Sequence, residues 1–285
     1  MIGVFDSGFG GLTVHRALVE ALPDSDFVYL GDNRHAPYGE KSPIEVLNLT
    51  CRGLERLFQE GCTLAILACN TASVVALRWI QQQWLPARRL DDGVPRNVLG
   101  VVIPTIEAAT GVGWHEQPAT ATATAHGEPG RPPIAVFATR RTVATGCYPL
   151  EIAKRLPDSV VVQQACPDLA GAIERGAPMQ HLRGLVEKYV GELSTKIDQP
   201  DCAILACTHY PLVADLFRDA LPDAVPIISQ PEATARALKC YLDRHPEYDG
   251  GGARVRRFLS TGFSPEALPL VERFWGGPIH FEQNE

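Results

Sequence analysis

The stretch AILACNTAS, residues 65–73, returns in altered form as AILACTHYP at residues 203–211. Each copy runs apolar residues into a cysteine, and polar residues and a new helical pattern follow. An apolar run of strand length without alternation marks a strand covered on both faces, as parallel sheets require. The two cysteines, Cys69 and Cys207, therefore stand at the carboxyl ends of two buried strands, the edge where open α/β sheets hold their ligands. A chain that does this once in each half can bring two thiols to one cleft from opposite sides.

Outward from these strands the pattern repeats. IGVF at residues 2–5 is echoed by IAVF at 134–137, and Thr139 and Thr142 follow the second run where Asp6, Ser7 and Gly8 follow the first. Further strands are predicted at residues 26–30, 98–103, 160–162, 225–228 and 255–260. Helical spacing of apolar residues predicts helices at 12–22, after a capping-box pair at Ser42 and Glu45, from 69 to about 83, from Pro104, from Cys166 toward Glu174, and at 181–197, 232–242 and 264–275. Strands alternating with helices predict parallel α/β sheets. The expected architecture is two pseudo-symmetric lobes, each a parallel sheet flanked by helices, with the active-site cleft between them. The first lobe is expected over residues 1–97 and about 211–285, the second over 98–210. Residues 84–97 read as a loop. Residues 111–133, with the run ATATATAHGEPGRPP, read as a mobile surface insertion.

Composition narrows the function. Of 285 residues, 45% are hydrophobic and 21% charged, enough apolar material for a full core. The net charge of −7 offers no basic footprint for nucleic acid. No apolar run reaches the length of a membrane span, and the opening residues lack a basic stretch ahead of an apolar one, so a cytoplasmic location is expected. Eight cysteines without a CxxC pair predict free thiols. Most of these are expected to be small buried hydrophobes. His15, His126, His181, His245 and His280 are expected on the surface. Glycines 8, 10 and 11 do not form a dinucleotide fingerprint. No set of ligands for a metal is evident, and none of the five lysines sits in a context for a pyridoxal Schiff base.

The chemistry rests on the thiols. A free thiol ionises near pH 8.5, and the positive end of a following helix favours the thiolate. Both Cys69 and Cys207 are expected at such a helix start, Cys69 assisted by Asp6 and Cys207 by His209 or Glu174. Two thiols facing each other suit proton removal from a carbon acid on one face and proton return on the other, which is stereoinversion. Ser7, Asn70, Thr71, Thr139, Thr142 and Thr208 lie at strand-to-helix junctions, where hydroxyls and free N–H groups hold carboxylates. The set suits a small dicarboxylate carrying an amine, with Asp6 facing the amine. The loop at residues 31–39 is long and particular enough to take part.

IGVFDSGFGGLTV from residue 2, YLGD with the later PYG at 37–39, ACNTAS from 68, IPTIEAA from 103, ACTHYPLV from 206 and the late TGF with SPE together resemble the cofactor-independent glutamate racemases of the aspartate/glutamate racemase superfamily. The resemblance implies that Cys69 and Cys207 are the catalytic acid and base pair and that Asp6, Glu174 and His209 assist them. It implies a substrate site made of Asp6, Ser7, Pro37, Tyr38, Gly39, Asn70, Thr71, Thr139, Thr142, Thr208 and His209, with no cofactor and no metal. It further implies a homodimer that makes D-glutamate for peptidoglycan in the bacterial cytoplasm, with Cys69 serving the D form and Cys207 the L form. The sequence departs from the family at Arg140-Arg141, at residues 171–174 (GAIE) and at Ser229-Gln230. Two other readings stand beside this one: a racemase for aspartate or another amino acid, and a catalytically weak homologue that binds and inhibits a protein partner.

Overall fold

A computed structural model describes residues 1–87, 93–113, 133–249 and 252–282. Its strands in chain order are β1 (Ile2–Asp6), β2 (Phe27–Gly31), β3 (Leu64–Leu67), β4 (Asn97–Gly100), β5 (Ile134–Ala138), β6 (Val161–Ala165), β7 (Cys202–Ala206), β8 (Ile227–Ile228) and β9 (Arg256–Ser260). They form two sheets, ordered β4-β3-β1-β2-β9 and β6-β5-β7-β8, and every pairing within them is parallel. The largely apolar strand runs explain this, since β1, β2, β3, β5 and β7 are buried along their whole length.

The helices of the first half are α1 (Leu12–Ala21), α2 (Pro43–Gln59), α3 (Asn70–Trp79), α4 (Leu85–Ala87) and α5 (Val102–Thr110). Those of the second are α6 (Arg140–Thr145), α7 (Cys147–Ala153), α8 (Leu169–Glu174), α9 (Met179–Ser194), α10 (Ala214–Ala220), α11 (Gln230–Arg244) and α12 (Leu268–Trp275). The capping box forms: Ser42 N donates to Glu45 Oε2 at 2.9 Å, and Glu45 N donates to Ser42 Oγ at 3.3 Å. None of the helices among the described residues is long and apolar enough to cross a membrane.

The lobe boundaries differ from the expected ones at both ends. β4 pairs with β3 as an edge of the first sheet, so residues 97–100 stay with the first lobe. β8 pairs with β7, so the second sheet extends past residue 210 to Ile228 before α11 packs back against α1. An edge strand's own residues do not say which sheet it will join; its hydrogen bonds do. The strand expected at 98–103 ends at Gly100, and α5 begins at Val102, ahead of Pro104. Part of the expected 84–97 loop is helical, through a π turn at Ile80–Trp84 and then α4. Most of the expected insertion at 111–133 lies outside the described residues, as does His126.

His15 corrects a surface expectation. It is fully buried on α1, with the rings of Phe27, Tyr29, Phe258 and Trp275 at 5.5, 5.5, 5.4 and 5.2 Å. Burial, with Arg256 nearby, pushes its imidazole down to about 3, so the ring is neutral. Leu12, His15 and Leu18 fall at helical spacing on the buried face, so the periodicity already held the signal.

Candidate active site

The register sets the site. In the first sheet Phe5 pairs with Leu67, so Ser7 and Cys69 both lie two residues beyond the last paired positions. In the second Ala138 pairs with Ala206, so Thr139 and Cys207 both lie one beyond. Both thiols line one cavity of about 470 Å3, to which Ser7, Pro37, Tyr38, Gly39, Asn70, Thr71, Thr139, Glu174, Thr208 and His209 also contribute. Two expected substrate contacts are not on its wall. Asp6 is fully buried behind it, and Thr142 is fully buried behind Thr71 and Thr139.

Cys69 caps α3, its Sγ accepting from Ala72 N at 3.4 Å and touching Ser7 Oγ at 3.3 Å. The helix start is where it was expected, yet it does not win. Burial, reinforced by the Asp6 carboxylate, pushes the thiol up to about 12, against the Ser7 and Ala72 hydrogen bonds. Asp6 itself accepts from Gly8 N at 2.9 Å and from Thr208 Oγ1 at 3.2 Å. Burial raises it to about 6 even though His209 pulls the other way.

Cys207 is built differently. It does not start a helix: a 3-10 turn at Tyr210–Val213 intervenes, and α10 begins only at Ala214. Its positive neighbour is instead His209, whose Nδ1 lies 3.7 Å from Sγ. His209 Nε2 is bonded to Glu174 Oε2. Burial alone would lower the imidazole, but the Glu174 carboxylate outweighs it and holds His209 well above its ordinary range. Glu174 is held low in turn: His209, Phe9 N at 3.1 Å and Asn33 Nδ2 at 3.4 Å outweigh its burial. Despite the departure at residues 171–174, the carboxylate reaches the imidazole.

The polar walls join the lobes. Thr71 Oγ1 lies 3.0 Å from Thr139 Oγ1 and 3.3 Å from Thr142 Oγ1, and Thr139 donates to Thr142 at 3.1 Å. Tyr148 of α7 donates to Asn70 Oδ1 at 2.7 Å, which leaves the buried Nδ2 of Asn70 as a donor without a partner among the described residues. Arg141 Nε donates to the Lys41 carbonyl at 2.8 Å, so this departure from the family pattern ties α6 to the first lobe. A Cβ at Gly39 would meet Thr139 Cβ at 2.8 Å, so the close crossing there needs glycine. Tyr38 spends its hydroxyl on Asp32 Oδ2, at 2.6 Å.

Sequence reasoning had no role for several wall residues: Phe9, Cys166, Asp168 and Arg175; Asn33 entered only as part of the loop at 31–39. Cys166 is a third thiol, driven upward by burial. Its place at the end of β6 was the available signal. The arrangement offers one buried neutral thiol, one thiol beside a cationic imidazole, and hydroxyl and amide donors between them. That is equipment for moving a proton across a small anionic carbon acid.

No family model matches the chain. A glutamate racemase of Phenylobacterium zucineum is 53% identical over 284 residues, 99% of each chain. One of Caulobacter sp. (strain K31) is 51% identical over 284 residues, again 99% of each. A solved glutamate racemase isoform of Bacillus anthracis, 30% identical, superposes with a TM-score of 0.82 over 100% of this chain and 97% of that one. Likeness this close along essentially the whole length, on a fold of two parallel sheets that meet at two thiols, shows that the chain belongs to the glutamate racemase family of isomerases.

Proposed function

We propose that the protein interconverts L- and D-glutamate by passing the α-proton between Cys207 and Cys69, without a cofactor. The observation that carries this reading is the pair of thiols on one cavity, each from the end of a matching strand. In one direction Cys207, as thiolate beside the charged His209, takes the α-proton and leaves a carbanion. The Cys69 thiol then donates its own proton to the opposite face. The products are the inverted amino acid, a Cys207 thiol and a Cys69 thiolate, and proton exchange restores the start. The high position of Cys69 keeps it protonated and ready to donate. In the other direction Cys69 is the base. There the incoming ammonium of glutamate supplies the positive charge that Cys69 otherwise lacks. Thr71, Thr139, Thr208 and the free Asn70 Nδ2 serve the carboxylates, while Asp6, from behind Ser7, attracts the ammonium. Cys207 serves the L form and Cys69 the D form in this reading, which rests on the family resemblance.

The same resemblance supports a role in supplying D-glutamate for peptidoglycan in the cytoplasm, and a homodimer; sedimentation of the purified chain tests the dimer. The activity is tested by NMR of L- and D-glutamate in D2O with purified protein and no additive, followed in parallel by circular dichroism. One deuteron entering Cα while the optical signal decays to zero is the expected result. No exchange from either hand under reducing conditions would remove glutamate as the substrate.

A further inference from the structure

Gln230 opens α11 and is fully buried, at a point where the sequence departs from the family pattern. The strand beside it explains its first contact. Ala203 N donates to the Pro226 carbonyl at 2.9 Å, and the pleat turns every second residue of a strand to the same edge. The Leu205 carbonyl therefore also faces the β8 edge, but the last pair there is Ile204 with Ile228. One position past the end of the ladder, that carbonyl accepts from the Gln230 side chain, Nε2, at 2.6 Å.

A carbonyl can only accept, so this bond fixes which way the amide turns. Nε2 faces Leu205, and the buried Oε1 of Gln230 is left without a partner among the described residues. An orphaned buried acceptor is costly, and the rest of the amide must be worth that cost. The amide also reaches the Tyr148 hydroxyl, where it opposes the effect of burial as a donor to the phenol oxygen does. A phenol that accepts on one side turns its O–H to the other, and Tyr148 donates to Asn70 Oδ1 at 2.7 Å. With Oδ1 taken, Nδ2 is the free group of Asn70, on the wall of the thiol cavity next to Cys69. The chain of contacts thus runs from the strand that delivers Cys207 to the neighbour of Cys69.

We propose that Gln230 is a positioning residue: it sets the direction of a relay through Leu205, Gln230, Tyr148 and Asn70, so that Asn70 offers N–H rather than C=O to a carboxylate of the substrate. An amide turned the other way would set its carbonyl against the carboxylate, acceptor against acceptor. What Asn70 binds rests on the proposed racemase activity; the direction of the relay does not.

The test breaks the relay at two links. Gln230→Met keeps the length and removes the amide, and Tyr148→Phe removes the hydroxyl. Each should raise KM for glutamate about fivefold, the worth of one hydrogen bond, equally from L and D and with kcat held within about twofold. Links in series do not add, so Gln230→Met placed on Tyr148→Phe should raise KM by less than about twofold more. An unchanged KM in Gln230→Met, or a full second increment in the double variant, would overturn the relay and leave Gln230 a packing residue. Gln230→Asn, whose amide falls one methylene short, takes the same place in the cycle should the methionine variant not fold. A second readout is independent of activity. With 15N placed in asparagine alone, the side-chain amide signals of Asn70 are identified by their loss in Asn70→Asp. They should move in Gln230→Met and in Tyr148→Phe alike, and unmoved signals in Gln230→Met would overturn the proposal whether or not the protein racemises glutamate. Moved signals in a protein that racemises nothing would keep the relay and remove the racemase reading.

Discussion

The two thiol half-sites come from one repeated stretch and are not equivalent. Cys69 caps a helix, touches Ser7, and has the Asp6 carboxylate behind it; burial and that charge push it up to about 12. Cys207 lacks the helix start and faces a charged imidazole held by Glu174. Position for position, Asp6 of IGVFD corresponds to Ala138 of IAVFA, so the second half has no carboxylate at the strand end. The lesson is that a repeated backbone fixes where two groups sit, while the side chains around them fix what each does. One thiol is buried beside a carboxylate, the other beside a charged imidazole.

The largest test of that asymmetry removes the thiols one at a time. Cys69→Ser and Cys207→Ser should each lower racemisation by about two to four orders of magnitude. Deuterium wash-in should survive from a single hand in each, from L with Cys207 intact and from D with Cys69 intact. Wash-in from both hands in either variant would break the two-base comparison. The reversed assignment would exchange the roles of the two halves.

Glu174→Gln should lower kcat/KM by about ten- to a hundredfold, within the range of a lost charge-assisted contact. Racemisation has an equilibrium constant of unity, so the loss in kcat/KM must be equal from L and D, and any asymmetry must appear in kcat and KM together. The sign with pH follows from His209. Glu174 raises it, so the variant should lose the charged imidazole at lower pH, and the alkaline limb of the pH–rate profile should move down. An unmoved limb would show that His209 does not act through its charge.

Asp6→Asn should raise KM for glutamate while easing ionisation of Cys69, seen as faster alkylation by iodoacetamide at fixed pH. It should also stabilise the fold. Asp6 goes from 3.8 to about 6 on folding, so the native state binds the proton more tightly than the unfolded chain does. Its contribution is best below pH 3.8 and worsens as pH rises to 6, and the full cost, about 3 kcal/mol, applies above that. The unfolding temperature of Asp6→Asn at pH 7 should exceed that of the wild type, and a lower one would show that its hydrogen bonds outweigh the buried charge.

Tyr148→Phe frees the Asn70 amide to turn. KM should rise severalfold with little change in unfolding temperature, and an unchanged KM would remove Tyr148 as the group that aims Asn70. The smallest effect on activity belongs to His15→Leu, which makes the rest easier to read. With His15 held at about 3 against an ordinary 6.5, the unfolded chain takes up a proton that the native one refuses. Stability is therefore lost as pH falls from 6.5 toward 3. The leucine variant should flatten that loss, as followed by unfolding temperature against pH. It would leave acid-side rate profiles to the half-sites themselves.

The sequence alone determined the two buried strands ending in Cys69 and Cys207 and the alternation that builds two parallel sheets. These follow from local pattern, because an apolar run or a helical period reports which faces must leave water. Tertiary structure decided which sheet each edge strand joined, because β4 and β8 are placed by pairing with β3 and β7 rather than by their own residues. It decided that burial beats the helix start at Cys69, that an imidazole takes the place of a helix start at Cys207, and that Asp6 and Thr142 stand behind the wall they were expected to form. Each of those outcomes depends on distances between residues far apart in the chain, such as Ser7 with Cys69 and Glu174 with His209. Electrostatics falls steeply with distance and burial, so only the folded chain could set them.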